Sequence, residues 1–211
     1  MLHSHLHIVD NIFMSKLDSQ KHKQANKMRV SFDLDEVLFV DPKTHKTEPE
    51  LKFPFNRIFK ERLRLGTPEL INALQDEDFE VWVYTSSFRS ERYIRSLFFM
   101  YGVKFDSIVN GDRHLREVQG KRKDPLPQKL PSKYRISLHI DDETVICTAG
   151  KLYGFNVYQL NAQDDDWEKK IMDRVHRIRR LERPDLLNEA DVEEEKSIDQ
   201  GTDHQDNKEE A

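Results

Sequence analysis

The sequence predicts an α/β fold, a three-layer sandwich in which helices cover both faces of a mostly parallel central sheet. Two observations carry this. Short, apolar-rich runs recur along the chain, as expected of strands buried on both faces. Segments with helical periodicity separate most of them, which implies right-handed crossovers and parallel neighbours.

The runs, in order, are MRVSFDL (28–34), VWVYT (81–85), FDSIV (105–109), ISLHI (136–140) and NVYQL (156–160). The first helix is read over 67–75, with Thr67 as N-cap and Pro68 at the first helical position. Ser90 opens a second, in which Ile94, Leu97, Phe98 and Tyr101 share one face and Gly102 closes the end. A third spans 143–153 before Gly154, and a fourth, amphipathic and basic, spans 167–181 before Pro184.

The chain has 211 residues, enough for one domain plus tails. A flexible N-terminal extension is assigned to 1–27, the folded domain to 28–183 and a disordered acidic tail to 184–211. Residues 185–211 hold eleven acids against two lysines and almost nothing apolar, so they cannot offset the entropy of ordering. The net charge of −5 therefore belongs to the tail rather than to the body. No run approaches the ~18 apolar residues of a membrane span. The N-terminus lacks the pattern of a secretory signal. The single Cys147 excludes an intramolecular disulfide and fits a reducing compartment, so a cytoplasmic protein is expected.

Two of the runs end in acids. Asp33 and Asp35 close the first (FDLDEV) and Asp141 and Asp142 the fourth (LHIDD). Carboxylates crowded at the mouth of buried strands repel one another and lose hydration, which a cation relieves. In a parallel sheet the two strand ends can meet, and sites lie at that edge. An oxygen-only set without cysteine suits a hard octahedral ion such as Mg²⁺ rather than zinc. Thr85 and Ser86 end the second run with hydroxyls able to donate to a phosphate. The segment GKRKDPLPQKLPSK offers Lys121, Lys123, Lys129 and Lys133 as counter-charges.

This ordered set resembles the haloacid dehalogenase (HAD) superfamily of aspartate-nucleophile phosphohydrolases, over 29–164. FDLDEV matches its first motif, VWVYTS its second, LHIDD its fourth, and the lysine motif is met loosely. The resemblance implies a Rossmann-like sheet and a phosphatase. It gives Asp33 as nucleophile and Asp35 as acid and base. Mg²⁺ would be held by Asp33, the backbone carbonyl of Asp35 and Asp141, with Asp142 in support. Thr85, Ser86 and a lysine would bind phosphoryl oxygens. Lys123 is preferred, because it heads KDPLP, similar to Lys-Pro segments at this place in the family. Lys121 and Lys129 remain alternatives, and Lys133 lies close to the fourth strand. Glu36 stands where many small-molecule phosphatases of the family carry Gly.

The 52 residues from Asp33 to Thr85 leave no room for an independent helical cap once the 67–75 helix is placed. A minimal cap and an open site are expected, and with them, by resemblance, a macromolecular phosphate such as a phosphoprotein or a nucleic-acid end. LKFPFNRIFKERLRLG (51–66) carries aromatics and basic residues that suit nucleic acid, but packing onto the core is the favoured reading, and the acidic tail opposes nucleic-acid binding. His3, His5 and His7 are not taken as a metal site. His139 is expected to pack beneath the acids, and Cys147 to be a buried small hydrophobe. The rival function is a catalytically degenerate binding module or a phospho-acceptor regulatory domain. A phospho-acceptor would carry its acceptor aspartate on the third strand, where this chain reads SIVN.

Overall fold

A computed structural model describes residues 27–120, 126–161 and 164–182. The histidine-containing N-terminal stretch, Lys121, Lys123 and the acidic tail lie outside the described residues. The chain divides into two compact units, 1–168 and 169–211.

Five strands form one sheet: β1 Arg29–Phe32, β2 Glu80–Tyr84, β3 Ser107–Val109, β4 Leu138–Asp141 and β5 Val157–Gln159. Their order is β3-β2-β1-β4-β5 and every pairing is parallel. The connections are helical, as parallel crossovers require. They hold α1 Phe55–Ile58, α2 Thr67–Asp76, α3 Glu91–Met100, α4 Gly111–His114 and α5 Thr144–Tyr153, and α6 Trp167–Glu182 follows β5. The fold is the expected α/β, Rossmann-like one. Among the described residues, the β1–β2 connection holds only a four-residue helix besides α2, so it contains no independent cap.

Strand ends are where reading and structure differ. The 28–34 run pairs only over Arg29–Phe32, because the chain turns away at Asp33 and bonds to itself, with Leu38 and Phe39 N–H both donating to Leu34 O. The N-cap of α2 is Gly66, at φ 86°, and not Thr67. Thr67 is already inside the helix, whose first bond runs from Leu70 N–H to Gly66 O at 3.0 Å, and its hydroxyl donates back to Arg64 O at 2.7 Å. Ser90 does cap α3, accepting from Tyr93 N, and Gly102 follows the helix at φ 76°.

Buried Trp82, Tyr84, Val109, Val118, Tyr134 and Ile136 form one core cluster. Its aromatic members pack edge to face, with Tyr84 and Tyr134 centroids 5.6 Å apart. A second aromatic group joins Phe39, Phe98 and Phe105 beside the flap that follows β1. Packing of the 51–66 aromatics is realised only at Phe59, which meets Tyr93 at 5.2 Å; Phe53 and Phe55 stay exposed. Cys147 is half-buried rather than buried, since the α5 face it occupies is only partly covered. In the second unit the described helix carries its apolar residues Ile171, Val175 and Ile178 on one stripe. No helix among the described residues is long and apolar enough to cross a membrane.

Phe32 ends β1, fully buried and paired with Val83 on one side and Ile140 on the other. Phe32→Ala is expected to cost about 3–5 kcal/mol of unfolding free energy, measured by urea denaturation.

Candidate active site

Strand order builds the site. Sequential connections run from β1 outward to β3, then return to the other side of β1 at β4. Ligand crevices in open parallel sheets form at the carboxyl ends of strands flanking such a reversal. Phe32 pairs with Ile140, which sets Asp33 level with Asp141, and Asp33 N–H donates to Ile140 O at 2.9 Å. On the other side Phe32 pairs with Val83, so Thr85 emerges beside the same edge.

Asp33, Asp141 and Asp142 converge there, each offering a carboxylate oxygen within 4.8 Å of the others. Asp33 and Asp141 are buried and Asp142 is half-buried. Lys129 is inserted among them, 1% exposed. Its Nζ donates to Asp141 Oδ2 at 2.6 Å and lies 2.9 Å from Asp33 Oδ1. The approach to Asp33 is off the angle of a hydrogen bond, so that oxygen is buried with a charge partner but no aligned donor among the described residues. Lys129 was one of four candidate lysines, and of the two that lie among the described residues, Lys129 and Lys133, it is the one that the fold brings to the acids. Lys133 is exposed on the 3₁₀ turn Pro131–Tyr134, while the preferred Lys123 lies outside the described residues.

His139 lies beneath the acids, as expected, fully buried. Its Nε2–H donates to Asp141 Oδ2 at 2.9 Å, and Ser31, paired with it across β1 and β4, contacts its Nδ1 at 2.8 Å. Burial would raise the Asp141 pKa, but the His139 hydrogen bond and the Lys129 charge outweigh it and hold the carboxyl at about 2. Asp142 goes the other way. Desolvation, with the charges of Asp141 and Asp33, pushes it up. On Lys129 the two carboxylates outweigh desolvation and raise the pKa, so the ammonium is held charged.

The lysine is delivered by a buried relay. Leu130 N–H donates to the Tyr84 hydroxyl at 2.8 Å, and that hydroxyl donates to His114 Nδ1 at 2.7 Å. Burial lowers the His114 pKa, which keeps the ring neutral and able to accept. Tyr84 ends β2 immediately before Thr85, so the relay ties the lysine loop to the hydroxyl strand.

Thr85 is buried, with its N–H donating to Val109 O and its Oγ1 accepting from Ser87 N. Ser86 is exposed on the loop that follows. Gly111 crowds this loop from behind. Its N–H donates to Ser87 O, and a Cβ on it would lie 2.7 Å from Ser86 O. Asp35 is separate from the cluster. Its side chain is exposed and pairs with Arg89, Nη1 to Oδ2 at 2.8 Å. Its side chain is therefore not one of the clustered carboxylates, and the resemblance had given it only a backbone carbonyl as a ligand. Next to it Glu36 adopts φ 58°, the left-handed region that glycine occupies freely, pinned by Arg64 donating to Glu36 O and Val37 O. Arg89 was missed in the sequence because a basic residue just past a strand carries no motif of its own.

The donor set fits a hard divalent cation. Three clustered carboxylates face one ammonium, leaving two negative charges, an orphaned Asp33 oxygen and a raised Asp142.

No protein-family model and no curated protein sequence matches the chain. Solved structures similar to it include HAD proteins at low identity. A HAD-superfamily hydrolase, subfamily IA, variant 1, of Geobacter sulfurreducens is 14% identical, with 70% of this chain and 99% of that one covered at TM-score 0.45. The HAD domain of an effector protein of Legionella pneumophila is 12% identical, covering 70% and 93% at 0.42. A HAD family enzyme of Bacteroides thetaiotaomicron, in complex with magnesium and inorganic phosphate, is 12% identical, covering 67% and 98% at 0.41.

Two outcomes follow from the buried charges. Lys129→Met leaves Asp33 and Asp141 facing each other uncompensated, and should cost about 3–5 kcal/mol in urea unfolding at neutral pH with EDTA present. Asp141 has a folded pKa of about 2 against an ordinary 3.8, so its stabilisation is complete above pH ~4 and is lost as pH falls towards 2. That contribution is roughly 2 kcal/mol, and unfolding free energy measured across this window should decline less steeply in Asp141→Asn than in the wild type.

Proposed function

We propose that the chain is a Mg²⁺-dependent phosphomonoesterase that transfers the phosphoryl group through Asp33. The observation that supports this is the convergence of Asp33, Asp141, Asp142 and Lys129 at the mouth of two adjacent strands, with Thr85 at the same edge.

An Asp33 oxygen attacks phosphorus as the bond to the leaving oxygen breaks, and Asp35 gives that oxygen its proton. Water then attacks the aspartyl phosphate and surrenders a proton to Asp35, which frees phosphate, restores the Asp33 carboxylate and returns Asp35 to its protonated form. Thr85 and Ser86 donate to phosphoryl oxygens, and Lys129 is the ammonium that joins them. Mg²⁺ would be held by Asp33, Asp141 and Asp142, with the Asp35 carbonyl in support. Bound there, it would offset the repulsion between a carboxylate and an anionic phosphate.

A macromolecular phosphate is the proposed substrate, a phosphoprotein or a nucleic-acid end. The support is an exposed Asp35 and the lack of an inserted cap among the described residues. The phospho-acceptor alternative gains nothing: after β3 comes Asn110, which is occupied in capping α4.

Phosphate release from sugar phosphates, nucleotides, phosphopeptides and 3′-phosphorylated oligonucleotides, measured with and without Mg²⁺, tests the reading. EDTA and Asp33→Asn should each abolish turnover. Undiminished hydrolysis in Asp33→Asn removes Asp33 from the nucleophile role.

A further inference from the structure

Arg89 lies four residues beyond Thr85, on the loop between β2 and α3, and three independent groups fix its guanidinium. Nε donates to Glu61 Oε1 at 3.0 Å, and Nη1 donates to Ser87 Oγ at 2.8 Å. The Phe39 ring lies 5.4 Å from Cζ. Glu61 is anchored in turn by the hydroxyl of Tyr93 on α3. Against this braced cation rests one oxygen of Asp35, Oδ2, at 2.8 Å.

We propose that Arg89 is a positioning residue for Asp35. It holds one carboxylate oxygen so that the other, Oδ1, faces the leaving oxygen of the phosphate ester. This role presupposes that the site hydrolyses phosphate esters as proposed. Asp35 projects from a turn with more than half of its side chain in solvent. A free carboxylate there would sample several rotamers, and proton transfer requires it within hydrogen-bond reach of one atom. As a stabilising contact alone, a pair this exposed is worth little, about 0–1 kcal/mol. The bracing on Glu61, Tyr93 and Ser87 exceeds what such a pair needs, and it makes sense if the guanidinium is the fixed reference and Asp35 the group being aimed. The chemistry balances. The leaving alkoxide takes the Asp35 proton as its bond to phosphorus breaks, and Asp35 recovers a proton from the attacking water.

A leaving-group comparison tests this. p-Nitrophenolate departs without help, whereas the alkoxide of glycerol 2-phosphate needs a proton, and kcat/KM reports only the steps up to loss of that group. In Arg89→Met, kcat/KM on glycerol 2-phosphate should fall at least tenfold more than on p-nitrophenyl phosphate, within the ~10²–10⁴ that general acid catalysis supplies. Asp35→Asn should show the same selectivity, and the double variant should be no worse than Asp35→Asn alone. Glu61→Gln, which loosens the brace and keeps Arg89, should move in the same direction by less. Equal losses on both substrates, or additive losses in the double variant, overturn the role, as does wild-type behaviour of both Arg89→Met and Glu61→Gln. Wild-type protein without Mg²⁺-dependent turnover, or active Asp33→Asn, overturns the phosphohydrolase reading instead.

Discussion

One buried ammonium makes the rest of the site tolerable. Carboxylates removed from water beside one another repel, and Lys129 offsets that repulsion by standing between Asp33 and Asp141. The compensation is deliberately incomplete in charge. Asp142 remains half-buried and raised, and one Asp33 oxygen remains without an aligned donor. Such a site is strained in the direction of accepting a cation.

The sheet supplies what the charges need. Parallel register places Asp33 and Asp141 side by side, and the return of the chain across β1 opens the crevice in which they lie. The His139–Ser31 pair supports Asp141 from below, while Tyr84 and His114 hold the start of the lysine loop through a backbone N–H. The placement of the lysine therefore depends on groups that lie buried behind the acids. Buried polar chains of this kind fix geometry when every member is satisfied.

Much of this was legible in the sequence. The five strands and four longer helices followed from apolar runs and periodicity, and the acids that end β1 and β4 pointed to the edge where Asp33, Asp141 and Asp142 converge. What escaped was set by tertiary contact. Four lysines within thirteen residues have equivalent sequence signals, and the approach of Lys129 depends on contacts remote in sequence, with Asp33, Asp141 and, through Leu130 N–H, the Tyr84 hydroxyl. Thr67 satisfies the residue statistics of an N-cap, yet its hydroxyl is taken by Arg64 O. Arg89 and Glu61 are 28 residues apart and meet only because the flap folds over α3.

Gly111 carries a consequence of its own. It lies outside the pocket, yet its missing side chain is what lets the backbone of 85–87 settle where it does. An alanine there would strike the Ser86 carbonyl and force the backbone that carries Thr85 and Ser86 to shift, so an inert-looking methyl behind the loop would be felt on its other side. Tolerance to variation at this position is thus set by how closely one backbone approaches another, and not by which side chains face the acids.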